Sequence, residues 1–122
     1  MKDFRDLSVW NKAHRLTLAT YKVTARFPKD ELYTLTAQMR RSSSSIGTNI
    51  AEGCGRRGNG EFHKFLQIAA GSASELEYQF LLARDLSYFS EEQYGLMQAS
   101  IVEIKKMLAS LINRVEAERL RH

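Results

Sequence analysis

Between Tyr94 and Val115 the large apolar residues recur at alternating intervals of three and four: Tyr94, Met97, Ile101, Ile104, Leu108, Leu111 and Val115. That spacing places all seven on one stripe of an α-helix and matches the seam of a helical bundle. Glu91, Glu92, Glu103, Lys105, Lys106 and Arg114 fall off the stripe. Ser90, with Gln93 three residues later, forms a capping box at its start. The pattern predicts a helix over about 91–118.

Three further segments read the same way. After Gly58-Asn59-Gly60, a strong loop signal, Phe62, Leu66, Ala69, Ala73, Leu76, Phe80 and Ala83 give a helix over about 60–87. Its middle, Ala69 to Ala73, is small and includes Gly71, which predicts close approach of a neighbouring helix that offsets the helix cost of glycine. Pro28 predicts a break near Phe27, with Asp30 as cap or first-turn acid of a helix over about 30–54. Leu32, Leu35, Met39, Ser42, Ile46 and Asn49 form its seam, which takes in the serine run from Ser42 to Ser45. Val9, Ala13, Leu16, Thr20, Val23 and Phe27 mark a less regular helix over about 6–26, capped by Asp6 or Ser8; Thr17, Thr20 and Thr24 leave it dependent on packing. No strand pattern occurs. With one proline and seven glycines in 122 residues, connections must be short. The expectation is a single all-α domain over 1–122, an antiparallel up-down-up-down four-helix bundle.

Several chemistries are excluded by spacing. His14, His63 and His122 have no His or Cys at i+4, Cys54 has no CxxC partner, and no Glu-x-x-His motif occurs. No metal, haem, iron–sulfur cluster or other cofactor is therefore expected. There is no phosphate-binding loop motif after a strand. Arg56 and Arg57 near Cys54 would favour a reactive thiolate, but the ordinary reading is a cysteine at a helix end. The lone cysteine, the lack of an apolar run of 18 residues and the lack of a leader pattern point to a cytoplasmic protein.

Charge is uneven. Residues 1–64 carry 12 Lys and Arg against 6 Asp and Glu, whereas residues 65–122 carry 6 against 8. The basic half can attract phosphate, or simply solvate exposed helix faces. Arg56, Arg57 and Lys64 cluster in and after the glycine loop, beside His63, and are candidate nucleic-acid contacts. Arg40 and Arg41 are two more, with Lys22 and Arg26 secondary. Folding the second helix onto the third about residue 58 brings Arg41 level with Glu75, Arg40 with Leu76, Glu52 with Lys64 and Asn49 with Gln67. Arg40, Arg41, Glu75 and Glu77 then form an interhelical ion-pair network, or the arginines point outward to phosphate. Asn49, Glu52, Ser72 and Glu75 are read as a structural polar network, since buried amides and carboxylates need partners. Phe65, Ile68, Tyr78, Leu81 and Leu82 lie beside the third helix's seam and predict a subunit interface of a cyclic homo-oligomer.

Phe4 to Trp10, Phe27 to Leu35, Gln38 to Arg41, Ser45 to Gly53, and Glu61 to Ser72 with Glu75-Leu76-Glu77 together span most of the chain. In these motifs it resembles the four-helix bundle proteins encoded within intervening sequences of bacterial large-subunit ribosomal RNA genes. It departs at Ser42, Ser43 and Ser44, where that family often has alanine and other small residues. The resemblance implies a ring-shaped pentamer. It also implies kinship with the accessory protein of diversity-generating retroelements, which is taken to bind a reverse transcriptase and nucleic acid. It implies no catalytic activity and assigns no chemistry to Arg40, Arg41, Asn49 or Glu52. Three functions compete: a non-enzymatic bundle associated with RNA or DNA, a protein–protein adaptor for an enzyme such as a reverse transcriptase, and a nuclease built on Glu52, His63 and Glu75. The first is the leading expectation.

Overall fold

The computed structural model describes residues 2–121, and all of its long elements are helices: α1 (Ser8–Thr24), α2 (Leu35–Cys54), α3 (Gly58–Asp85) and α4 (Glu91–Arg121). No strand occurs among the described residues, and no helix is long and apolar enough to cross a membrane.

α4 begins where its capping box sits. Ser90 N–H donates to Gln93 Oε1 at 3.1 Å, and Gln93 N–H donates to Ser90 Oγ at 3.0 Å. Met97, Ile101, Ile104, Leu108, Leu111 and Val115 are its buried residues, and Tyr94 is half-buried. α3 starts two residues earlier than its sequence pattern indicates. Gly58 takes φ +79°, a conformation open to glycine, and the Gly58-Asn59-Gly60 run becomes the helix's first turn.

α2 starts later than expected. Lys29–Glu31 forms a 3₁₀ turn after Pro28, and the helix begins only at Leu35. The acids at 30 and 31 do not cap it. Glu31 instead accepts from Thr34 Oγ1 and from the Tyr88 hydroxyl at 2.8 Å, pinning this connection to the one between α3 and α4. Leu32, expected on the seam, therefore lies outside the helix and is exposed, as is Tyr33. α1 likewise begins at Ser8, after a 3₁₀ turn over Phe4–Asp6 capped by Asp3; neither Asp6 nor Ser8 caps α1. Thr20 and Thr24 are buried yet satisfied, each donating to the carbonyl four residues back.

Each helix packs on two neighbours. α2 lies against α1 and α3, and α4 against α3 and, more slightly, α1. Met39, Ile46 and Ile50 of α2 meet Leu66, Leu76 and Phe80 of α3 and Ile101, Ile104 and Leu108 of α4 in one fully buried core. Gly53 permits the tightest contact: a Cβ there would stand 3.0 Å from both Phe62 Cδ1 and Phe65 Cβ. Gly71 behaves differently from its expected role. No atom lies within 4 Å of where its Cβ would be, so close approach belongs to the buried Ala69 and Ala73 instead.

The side-chain pairs fix the relative placement of the helices. Thr17 donates to Ser43 O and Arg40 Nε to Thr24 Oγ1 between α1 and α2. Ser42 meets Glu75 and Ser45 meets Ser72 between α2 and α3. Glu77 meets Lys105 and His63 meets Glu116 between α3 and α4. In each pair of helices the partner's number falls as the residue's own number rises.

Candidate nucleic-acid interface

α2 hands over to α3 in three residues, Gly55, Arg56 and Arg57. Gly55 N–H returns to Ala51 O and Glu52 O, and Arg56 N–H to Gly53 O, closing α2. Arg57 is extended, and no side chain caps α3. The amino end of a 28-residue helix, with its partial positive charge, thus opens directly after two arginines.

The charged side chains here rest on aromatic rings. Arg56 pairs with Glu52 at 3.3 Å and lies over Phe65, 5.0 Å from the ring centroid. Lys64 lies over the same ring at 5.9 Å. Lys2 lies over Phe62 at 5.4 Å, and its N–H donates to Cys54 O. Arg57 is exposed and has no ion-pair partner among the described residues. A cleft of about 210 Å³, lined by Lys2, Gly53, Cys54, Arg56, Gly58, Asn59 and Phe62, runs into the amino end of α3. Burial pushes the Cys54 thiol up, against a smaller downward pull from Lys2, so the arginines do not make it a thiolate.

The carboxyl end of α4 borders this surface with its charges tied down. Arg119 is bonded to Glu116, which also meets His63 Nε2 at 2.9 Å. The Arg119 bond, with the charges of Arg119 and His63 behind it, holds the Glu116 carboxyl below its usual range.

The five cations singled out from the sequence do not gather in one place. Arg56, Arg57 and Lys64 share the loop end. Arg41 lies about 20 Å from the end of α2, at about 1.5 Å per residue. Arg40 turns toward α1, with its guanidinium 4.9 Å from the Tyr21 ring centroid and its Nε donating to Thr24 at 2.9 Å. Glu77 turns the other way, to Lys105 of α4 at 2.7 Å. The interhelical ion-pair network of Arg40, Arg41, Glu75 and Glu77 therefore does not form among the described residues. α2 also sits one residue off the expected register, with Ser42 rather than Arg41 against Glu75.

A different polar seam takes its place. Ser42 Oγ donates to Glu75 Oε1 at 2.7 Å, the Ser45 and Ser72 hydroxyls lie 2.8 Å apart, and Asn49 Nδ2 donates to Ser45 O and Oγ. Glu52 is outside it, bound to Arg56. Glu52, His63 and Glu75 thus have three separate partners, and no group of three metal-ligating side chains occurs among the described residues. Lys22 and Arg26 lie toward the opposite end of α1. Lys2 belongs to the cationic end yet carried no signal, because nothing in the local pattern says where a segment before the first helix will lie.

The model of the family described as 23S rRNA-intervening sequence protein matches residues 5–110. Among solved structures, a protein of unknown function from the S23 ribosomal protein family of Bacteroides thetaiotaomicron is similar, with 28% identity and a TM-score of 0.79. The match covers 86% of this chain and 95% of that one. No curated protein matches.

Proposed function

The chain belongs to the 23S rRNA-intervening sequence protein family, and on that premise we propose that it is a non-enzymatic bundle that associates with nucleic acid, ribosomal RNA or a ribonucleoprotein, through its cationic end. One observation carries this reading: Lys2 and Arg56 line the cleft at the uncapped amino end of α3, Arg57 directly precedes that end, and Lys64 follows in the helix's second turn, over Phe65. Cations on short loops follow a phosphate backbone without reading sequence, and helix N–H groups add donors aimed at an anion.

The reading includes an antiparallel up-down-up-down order, supported by the opposed numbering of partners along α1–α2, α2–α3 and α3–α4. It also includes a cyclic homo-oligomer in the cytoplasm, a pentamer by the family resemblance. A ring repeats the cationic end around its axis and multiplies a weak contact. Titration with ribosomal RNA at two salt concentrations tests the binding. Affinity falls steeply with salt, and Arg56→Ala/Arg57→Ala reduces the log–log slope by about 1–2. Unchanged affinity in the double variant removes this end of the bundle from the reading.

The second reading is an adaptor for a protein such as a reverse transcriptase. Capture of such a partner that survives nuclease treatment selects it. RNA cut in the presence of magnesium would reject both in favour of an enzyme.

A further inference from the structure

We propose that a trough between α2 and residues 2–17, running from the cationic end to the rings of Trp10 and His14, receives single-stranded nucleic acid; this rests on the nucleic-acid reading above and restricts it to strands with unpaired bases. Three clefts make up the trough. The cleft of about 210 Å³ at the amino end of α3 adjoins one of about 470 Å³, since Lys2 lines both. Phe4 and Ala51 line that second cleft and also a third, of about 270 Å³, together with Trp10, His14 and Gly47.

The two ends of the trough differ in chemistry. Lys2 and Arg56 stand at the α3 end. At the other end three rings pack in series. The Phe4 and Trp10 centroids lie 4.7 Å apart at 59°, and those of Trp10 and His14 lie 5.0 Å apart and almost parallel, at 7°. His14 is exposed, and no further ring stacks on it among the described residues, so one more flat ring can extend the series. Gly47 keeps the floor low beside the rings: a Cβ there would stand 3.3 Å from Trp10 Nε1. From Gly47 to Gly55 is about 12 Å, at about 1.5 Å per residue, the reach of a few nucleotides. A strand laid in the trough sets phosphates on the cations and an unpaired base on His14, the pairing of cationic groove and stacking platform that holds single strands. Asp3, the one acid among the lining residues, is already bound to Arg5 at 3.0 Å. A duplex keeps its bases stacked inside and offers only its backbone. A proline-rich peptide also packs on rings, but it brings no anion for Lys2.

Trp10 is the only tryptophan in the chain, so its emission reports on the ring end alone. An unstructured RNA of about ten nucleotides binds and quenches it, whereas the same strand annealed to its complement binds without quenching. A backbone of equal length without bases binds about tenfold more weakly than the RNA. His14→Ala, at an exposed position, lowers affinity for the labelled single strand about tenfold by anisotropy and leaves affinity for the duplex unchanged. If single strand and duplex both bind and Trp10 emission is unchanged, or is quenched equally by the two, the trough site is overturned and the phosphate reading stands. If neither binds, both fail. Quenching by an oligoproline peptide, with the single strand silent, assigns the trough to a peptide and overturns the proposal.

Discussion

Ser87 takes φ 66°, the one non-glycine residue among those described to lie in the left-handed region. It does so because α3 ends there: Tyr88 N–H returns to Ala83 O and Ser87 N–H to Arg84 O, a Schellman closure whose C′ position ordinarily holds glycine. Ser87→Gly removes the Cβ crowding and gives back part of it as chain entropy, so thermal unfolding should show about 0.5–1 kcal/mol more stability. The next residue carries a second prediction. Tyr88 and Thr34 donate to Glu31 and hold its carboxyl below the usual range, Thr34 contributing most. A carboxylate lowered on folding stabilises the fold above its unfolded value of about 4.3 and loses that contribution as pH falls through the lower folded value. Tyr88→Phe should therefore flatten part of the acid limb of stability below about pH 4.3 and change stability little with pH at 6–8, as followed by urea unfolding at a series of pH values.

At the scale of a helix, two glycines make opposite predictions from the same substitution. Gly53→Ala drives a Cβ into the backbone-anchored Phe65 Cβ and the core ring of Phe62, so overpacking outweighs the gain in helix propensity and stability falls by about 1 kcal/mol. Gly71→Ala meets open space on α3 and raises stability by about 1 kcal/mol. Denaturant midpoints of the two variants check both, and a loss at Gly71 would reveal a neighbour covering that face. The contrast also shows how far periodicity reaches. Seams at three and four located every helix, and the Ser90–Gln93 box gave the start of α4, because these signals lie within one turn. The start of α2 was not legible: Glu31 is taken by Tyr88, 57 residues on, which no local pattern contains. Arg40 and Glu77 went to different neighbours for the same reason. A helix's rotation about its axis is set by what packs on all its sides, and a one-residue change of register swaps Arg41 for Ser42 opposite Glu75. The loop cations were legible as a cluster, whereas Lys2 beside them was not.

Across the whole molecule the four interhelical seams are unequal. α2–α3 carries the close approach at Gly53 and the serine–asparagine seam, and α3–α4 carries the Glu77–Lys105 ion pair and the His63–Glu116 contact. α1 and α4 share one, Lys12 to Glu103 at 3.1 Å, with a cleft of about 310 Å³ between Leu7, Val9, Met107 and Leu111. A bundle with one slight side does not open evenly. The first helix peels outward as a unit while the central pair stays shut, so its amide protons should exchange with deuterium faster than those of α3 by more than tenfold, about 1.4 kcal/mol of opening free energy. Mass spectrometry of deuterated peptides reads this directly, and uniform protection across the four helices would show that the molecule breathes as one piece.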